Sequence, residues 1–378
     1  MTDFVYIDND EALSRACARW QGKTILALDT EFVRVRTYFP QLGLIQVGDD
    51  EGVALIDPLV LSSLEPFAGI LRNTAITKVL HSCSEDLEVF HRACGALPTP
   101  LFDTQVAASF LGLGMNLGYA RLVAEMLGLE IAKDASRTDW LKRPLDPEQL
   151  RYAAADVSHL YALYPRLAER MANSPHAGRF AQDCAAMLEP ARFETAPLKA
   201  YRKVKQAFRL RPQQLAVLQS LAEWREEEAL RRDLVRRFLV SDEALIALAQ
   251  RQPRNLPAMQ AIGELSPVEL RKHGIQLLRL IEQGKQVAED QWPAPILRPN
   301  DIDGMKTAMT EAKAIADALA SELGIAPELM ASNRLLEGYL MFALALKGSP
   351  PRAWEGWRGE LLTPRLSQVV ATLRGAQH

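Results

Sequence analysis

The chain has 378 residues, of which 48% are hydrophobic and 24% charged, and a formal net charge of -3. That length exceeds one ordinary domain and that composition excludes a disordered chain, so two or three globular domains are expected. A nucleic-acid binder with so even a balance must segregate its acids and bases in space. No apolar run approaches a membrane span, and Met1–Val5 lacks the basic and apolar regions of a signal peptide. Cys17, Cys83, Cys94 and Cys184 show no C-x-x-C pair or metal-ligand spacing, which predicts reduced thiols in a soluble, cytoplasmic protein.

Phe4–Ile7 reads as a short edge strand and Asp10–Trp20 as an amphipathic helix capped by Asn9 or Asp10. Four apolar residues in a row, Ile25–Leu28, predict a strand buried on both faces that continues into Asp29, Thr30 and Glu31. Pro40 and Gly43 introduce a second strand, Leu44–Gly48. The turn residues Asp49–Gly52 then lead to a third, Val53–Asp57, stopped by Pro58. Their short connections make these three an antiparallel meander. A helix over Leu61–Leu71, a strand Thr77–His81 and a short strand near Leu101–Asp103 follow, with helical periods to about Leu167. Strands first, then strand and helix in alternation, predict a mixed sheet flanked by helices, its later strands parallel.

The pattern loosens at Pro190–Pro197, and beyond it the text is helical: Gln213–Arg232, Asp242–Arg251, Pro267–His273 and Gly274–Glu282. A proline-rich break at Trp292–Pro299 precedes a last helical block from Met305 to about Arg374. Helices are predicted there over Ala308–Leu323, Ala326–Ala331 and Arg334–Leu346. Two helical blocks of similar length in tandem suggest a divergent repeat.

Chemistry concentrates in the first half. Alternate side chains of a strand share a face, so Asp29 and Glu31 project together. Two like charges side by side in poorly solvated surroundings resist ionisation unless something neutralises them, and carboxylate oxygens suit magnesium or manganese. The plain alternative is a strand that has reached water. Ser84 reads as an N-cap that puts Glu85 and Asp86 in a first helical turn, where the helix dipole alone favours acids. Tyr152 and Asp156, four apart ahead of the helical segment Val157–Leu167, share one helix face, and the three alanines between them allow close packing on the sheet. An aromatic at a core edge and a surface acid would look the same. His81 reads as a structural histidine rather than a ligand.

Taken together, D-x-E at Asp29 and Glu31, S-E-D-L-E-V-F from Ser84 and Y-A-A-A-D from Tyr152 resemble the three motifs of the DEDD exonucleases. The tyrosine marks the DEDDy branch. D-T-E-F-V-R-V-R-T-Y-F-P-Q-L-G-L-I-Q from Asp29 and S-R-T-D-W-L-K-R-P-L from Ser136 are similar to the ribonuclease D family, almost continuously through the first half. R-R-D-L-V-R-R-F-L-V-S-D-E-A-L from Arg231, L-P-A-M from Leu256 and R-K-H-G from Arg271 resemble the HRDC domain, with Val235 where that module more often has proline. The resemblance implies an α/β RNase H-like exonuclease domain, a mixed sheet flanked by helices, over residues 1–195. Two all-α HRDC-type helical domains would follow over 208–289 and 300–375, the second divergent.

It also implies two divalent metal ions, Mg2+ or Mn2+, about 3.5–4 Å apart. Asp29, Glu31 and Asp156 would hold one; Asp29 would bridge to the second, which Asp86 holds directly or through water. Tyr152 would orient the nucleophilic water first and accept a proton second. Arg151 and the segment Ser136–Trp140, with Arg137, would contact terminal phosphates, although Trp140 itself reads rather as core. Phe32 and Tyr38–Leu42, with Gln41 and Leu42, would stack or wedge terminal nucleotides, at about 1–3 kcal/mol per stacked base. Basic residues after the first linker (Lys199, Arg202, Lys203, Lys205, Arg209, Arg211) are followed by Arg225, Arg231, Arg232, Arg236 and Arg237, which offer phosphates a face. Glu226, Glu227 and Glu228 among them allow instead a plain solvated helix with ion pairs. The implied activity is that of a monomeric 3′→5′ exoribonuclease that trims tRNA precursors and releases 5′-mononucleotides. A DNA exonuclease and an inactive RNA-binding scaffold are the alternatives.

Overall fold

The computed structural model describes residues 3–131 and 138–377. The first part of the chain runs β1 (Phe4–Ile7), α1 (Asp10–Trp20), β2 (Ile25–Val33), β3 (Gln41–Asp49), β4 (Gly52–Ile56), α2 (Glu65–Arg72), β5 (Thr77–Leu80), α3 (Ser84–Cys94) and β6 (Leu101–Asp103). These strands form one sheet in the order β1-β4-β3-β2-β5-β6. The expected meander, β2-β3-β4, is antiparallel and lies at its centre. β5 and β6 add parallel strands beyond β2, and β1 adds a parallel edge beside β4.

Helices α4 (Thr104–Phe110), α5 (Tyr119–Leu127), α6 (Pro147–Ala172) and α7 (Ala177–Met187) follow. Asn9 caps α1, its side chain accepting from the Ala12 amide at 2.9 Å. Helix α2 starts four residues later than expected because Ser62 is engaged elsewhere, donating its amide and hydroxyl to Asp10. Helix α6 is the larger correction. It begins ten residues before Val157, at Pro147 with Asp146 as its cap, so Tyr152 and Asp156 lie inside it rather than ahead of it. Gly48 sets its approach to the sheet, since a Cβ there would meet the Val157 carbonyl at 2.8 Å; Gly43 does the same for the segment before the helix, where a Cβ would meet the Trp140 carbonyl at 2.6 Å. The opposite face carries α3, and Trp20, Phe67 and Phe90 pack together there at ring distances of 6.1 and 6.2 Å.

The later helices are α8 (Pro212–Arg232), α9 (Asp242–Arg251), α10 (Leu256–Gln260), α11 (Pro267–Lys285), α12 (Met305–Leu323), α13 (Pro327–Met330), α14 (Asn333–Ala343) and α15 (Trp357–Gly375). The two helices expected at Pro267–His273 and Gly274–Glu282 are one. Gly274 does not break α11 but lets it touch α10, since a Cβ there would come 2.7 Å from Leu256 Cδ2. Among the described residues no helix is long and apolar enough to cross a membrane.

The chain divides into two compact units. One takes the chain through Val33, Pro40–Phe193 and the chain from Asp303, so the last helical block packs with the sheet and its helices. In that unit Asp183 of α7 accepts from Trp357 Nε1 at 3.0 Å and from both Arg358 terminal nitrogens at 2.6 and 2.8 Å. The other unit comprises Arg34–Phe39 and Glu194–Ile302. Its core is built on Leu215, Leu218, Leu221, Leu245, Leu248 and Leu277, all fully buried.

Candidate active site

Three of the expected acids converge. Asp29 and Glu31 from β2 and Asp156 from α6 bring carboxylate oxygens within 4.8 Å of one another. The β2 ladder projects both of its acids towards α6, and the close approach at Gly48 brings the Asp156 turn down onto them. Thr30, between the two acids, faces the other way and donates its hydroxyl to Asp86 in the first turn of α3. The residue before α3 is Cys83 rather than a capping Ser84. Its amide donates to Asp103 Oδ2 at 3.0 Å, while Asp103 Oδ1 caps α4 through Gln105 and Val106 at 2.8 and 3.0 Å. Asp103 is wholly buried, and it fixes the start of α3, hence Asp86, against the end of β6.

Four carboxylates in this volume cannot all ionise unaided. Burial, then the Asp156 charge, pushes the Asp29 carboxyl up to about 8. Burial, then Asp29 and the other acids, takes Glu31 to about 10. Burial lifts Asp156 to about 6 against a hydrogen bond from Tyr152. Asp86 is raised well above its usual range by burial and by Asp29, against the Thr30 hydrogen bond. A divalent cation would relieve this repulsion, and a compact set of carboxylate oxygens suits magnesium or manganese. The donor set fits such an ion.

Tyr152 reaches this cluster, its hydroxyl hydrogen-bonded to Asp156 and its pKa raised by burial and then by Asp156. Its ring lies 6.3 Å from that of Trp140, which is 1% exposed and belongs to the core. Tyr119 was not singled out from the sequence. Its hydroxyl donates to the Asp156 backbone carbonyl and so steadies that turn of α6, and no periodicity around Gly118 announces it. His81 is structural: its Nδ1 lies 2.9 Å from Thr104 Oγ1, and burial lowers its pKa.

The expected substrate contacts are dispersed. Phe32 is half-buried, Gln41 and Arg151 are exposed, and Leu42 is 8% exposed within the sheet. Arg137 lies outside the described residues. Tyr38 is not free to stack on a base. It is buried in the second unit, where its hydroxyl contacts Glu226 and accepts from Arg236 at 2.7 Å, with the Arg236 guanidinium 4.8 Å over its ring. The basic residues on and just after α8 are largely engaged as well. Arg225 is buried and pairs with Asp242 at 2.8 Å, Arg236 pairs with Glu226, and Arg231 pairs with Glu228 at 2.6 Å. Ion pairs, rather than an open cationic face, account for most of that run.

The 3′-5′ exonuclease family model matches residues 4–172, the HRDC domain model 214–281, and the ribonuclease D C-terminal HRDC domain model 304–366. The chain is 41% identical over 371 residues to ribonuclease D of Pseudomonas paraeruginosa, covering 97% of each. It is 40% identical over 370 residues to ribonuclease D of Escherichia coli K12, covering 97% of this chain and 98% of that one. The crystal structure of Escherichia coli RNase D, described as an exoribonuclease involved in structured RNA processing, superposes with a TM-score of 0.93 at 40% identity. That match covers 98% of this chain and 99% of the other.

Proposed function

The chain belongs to the ribonuclease D family, and from that membership we propose how its own residues divide the work of hydrolysis. It is a 3′→5′ exoribonuclease, a phosphodiester hydrolase acting on RNA. The observation that carries the assignment of roles is the convergence of Asp29, Glu31 and Asp156 within 4.8 Å. These three would hold one divalent ion, Asp29 would be shared with a second, and Asp86 would serve the second directly or through water. Magnesium or manganese, when bound, supplies a water of lowered pKa and charge compensation at the phosphate.

The side chains do the rest. Tyr152, hydrogen-bonded to Asp156, orients the attacking water first and accepts a proton second, since burial and the neighbouring acids raise its pKa. Thr30 holds Asp86, and Tyr119 holds the helical turn that carries Asp156. Phe32, next in the chain to Glu31 and half-buried, would stack a terminal base, with Gln41 and the exposed Arg151 as partners for its sugar and phosphate. Residues 1–195 form the nuclease domain, 208–289 the first HRDC domain and 300–375 the second. The family models for these regions, at 4–172, 214–281 and 304–366, support that division. The substrates are tRNA precursors with single-stranded 3′ extensions, processed in the cytoplasm by a monomer to 5′-mononucleotides.

A time course on a 3′-extended tRNA labelled at its 5′ end tests this reading. With manganese or magnesium the band shortens in a ladder from the 3′ end, and EDTA stops it. An uncut band that still shifts on a native gel would mean that the acids no longer serve catalysis.

A further inference from the structure

We propose that Gln46 is a positioning residue of this site, an amide set beside Asp29 to fix its carboxylate while a divalent cation is bound. The inference rests on the reading above that the acids hold such a cation. Gln46 lies on β3 directly opposite Asp29 on β2. Residues facing one another across antiparallel strands project to the same side, with Cβ atoms about 4.5–5.5 Å apart. That side is the one α6 covers: two residues along β3, a Cβ at Gly48 would come 2.8 Å from the carbonyl of Val157, the neighbour of Asp156. Asp29, Gln46 and the Asp156 turn therefore share the layer between sheet and helix.

Within that layer Gln46 is 0% exposed, and neither its amide nitrogen nor its amide oxygen has a hydrogen-bond partner among the described residues. Leaving both ends of a buried amide unpaired is costly, and a core position that needed only volume would hold Leu or Met without that penalty. Of the two acids on β2 only Asp29 faces a polar side chain across the ladder, since Glu31 stands opposite Leu44. Carboxylates that ligate metals take outer hydrogen bonds that orient them. An amide suits this place because it donates without charge. A lysine or arginine would compete with the cation, and another acid would deepen the repulsion.

The test is Mn2+ binding to the RNA-free protein by titration calorimetry, alongside thermal unfolding in EDTA. Gln46→Met keeps the volume and removes the amide; Gln46→Leu is a second variant should methionine pack poorly. We expect Mn2+ affinity to fall about 10–100-fold in both, while in EDTA they melt no lower than the wild type. Wild-type affinity in either variant overturns the proposal. So does a clearly lower melting temperature of both in EDTA, which would make Gln46 a structural amide. If the wild type itself binds no Mn2+, the reading of the acids as ligands fails and takes this inference with it, an outcome distinct from the other two.

Discussion

Burial and the Asp156 charge hold Asp29 far above the ordinary carboxylate range, and Glu31 is in the same position, so near neutral pH the metal-free protein folds only by taking up protons on these acids, at a cost to its stability. Asp29→Asn removes one of these acids. The variant is expected to melt higher than the wild type in EDTA, to lose measurable Mn2+ binding, and to hydrolyse RNA at least about 10²–10³-fold more slowly, the loss expected when several kcal/mol of metal stabilisation disappear. Tyr152→Phe should part company with it. Its Mn2+ affinity stays near wild type, and its kcat falls about 10²-fold because the water loses its orienting partner. Calorimetry and initial rates on a 3′-extended RNA separate the two; equal loss of Mn2+ binding in both would contradict the division of roles. All five motif positions are legible in the sequence, because each motif is a local pattern on one strand or helix. Tyr119 and Gln46 are not. What they do depends on a helix turn and a ladder register that no single stretch of text contains.

The same limit applies to whole elements. Apolar runs and turn residues locate all six strands, whereas the parallel placement of β1 beside β4 is a long-range pairing that Phe4–Ile7 cannot announce. Gly274 looks like a helix breaker and is a contact point, and the helix expected from Val157 starts ten residues earlier, at Pro147. Helices α7 and α15 carry no signal that sets them apart in the sequence; α7 packs on α4 and β6, and α15 on α12. Arg143 shows how a segment with no regular structure is held. Its guanidinium grips Asp57 through two bonds of 2.6 and 2.7 Å and also donates to the Gly43 and Trp140 carbonyls at 2.6 and 2.8 Å. This seats Trp140 over β3 beside the site. Burial works to raise the Asp57 carboxyl, but hydrogen bonds from Arg143 and Tyr6 outweigh it and hold it below the usual range. A depressed folded-state value contributes stability above the unfolded pKa, about 3.9, and that stability is lost as pH falls through the folded value. Arg143→Met should therefore cost about 3 kcal/mol at pH 7, and its deficit against the wild type should shrink as pH drops below about 4. Urea unfolding at pH 7 and pH 3.5 measures it; a deficit indifferent to pH would refute the argument.

Across the whole molecule, the domain boundaries suggested by composition do not coincide with the compact units. The last helical block, set apart in the sequence by Trp292–Pro299, belongs to the same unit as the nuclease sheet and meets it through α4 and α7. Trp357 anchors it: 4% exposed, with its ring 6.1 Å from that of Phe110 and the Arg358 guanidinium 4.3 Å away. Trp357→Ala should lower stability by about 3–5 kcal/mol. Because α7 lies in the same unit as the acids, thermal unfolding and RNA hydrolysis should fail over one temperature range. Loss of the C-terminal block well below the temperature at which hydrolysis stops would show the two to be uncoupled.

Order of synthesis turns that packing into a matter of timing. The sheet and all its acids have left the ribosome once Phe193 is out, whereas Trp357 follows roughly 160 residues later, which at 5–20 residues per second is about 10–30 s. Throughout that interval the nascent chain presents the Phe110 and Asp183 side of its nuclease half uncovered. The newborn chain thus passes through a stage in which all its acids are outside the ribosome while that flank is still bare.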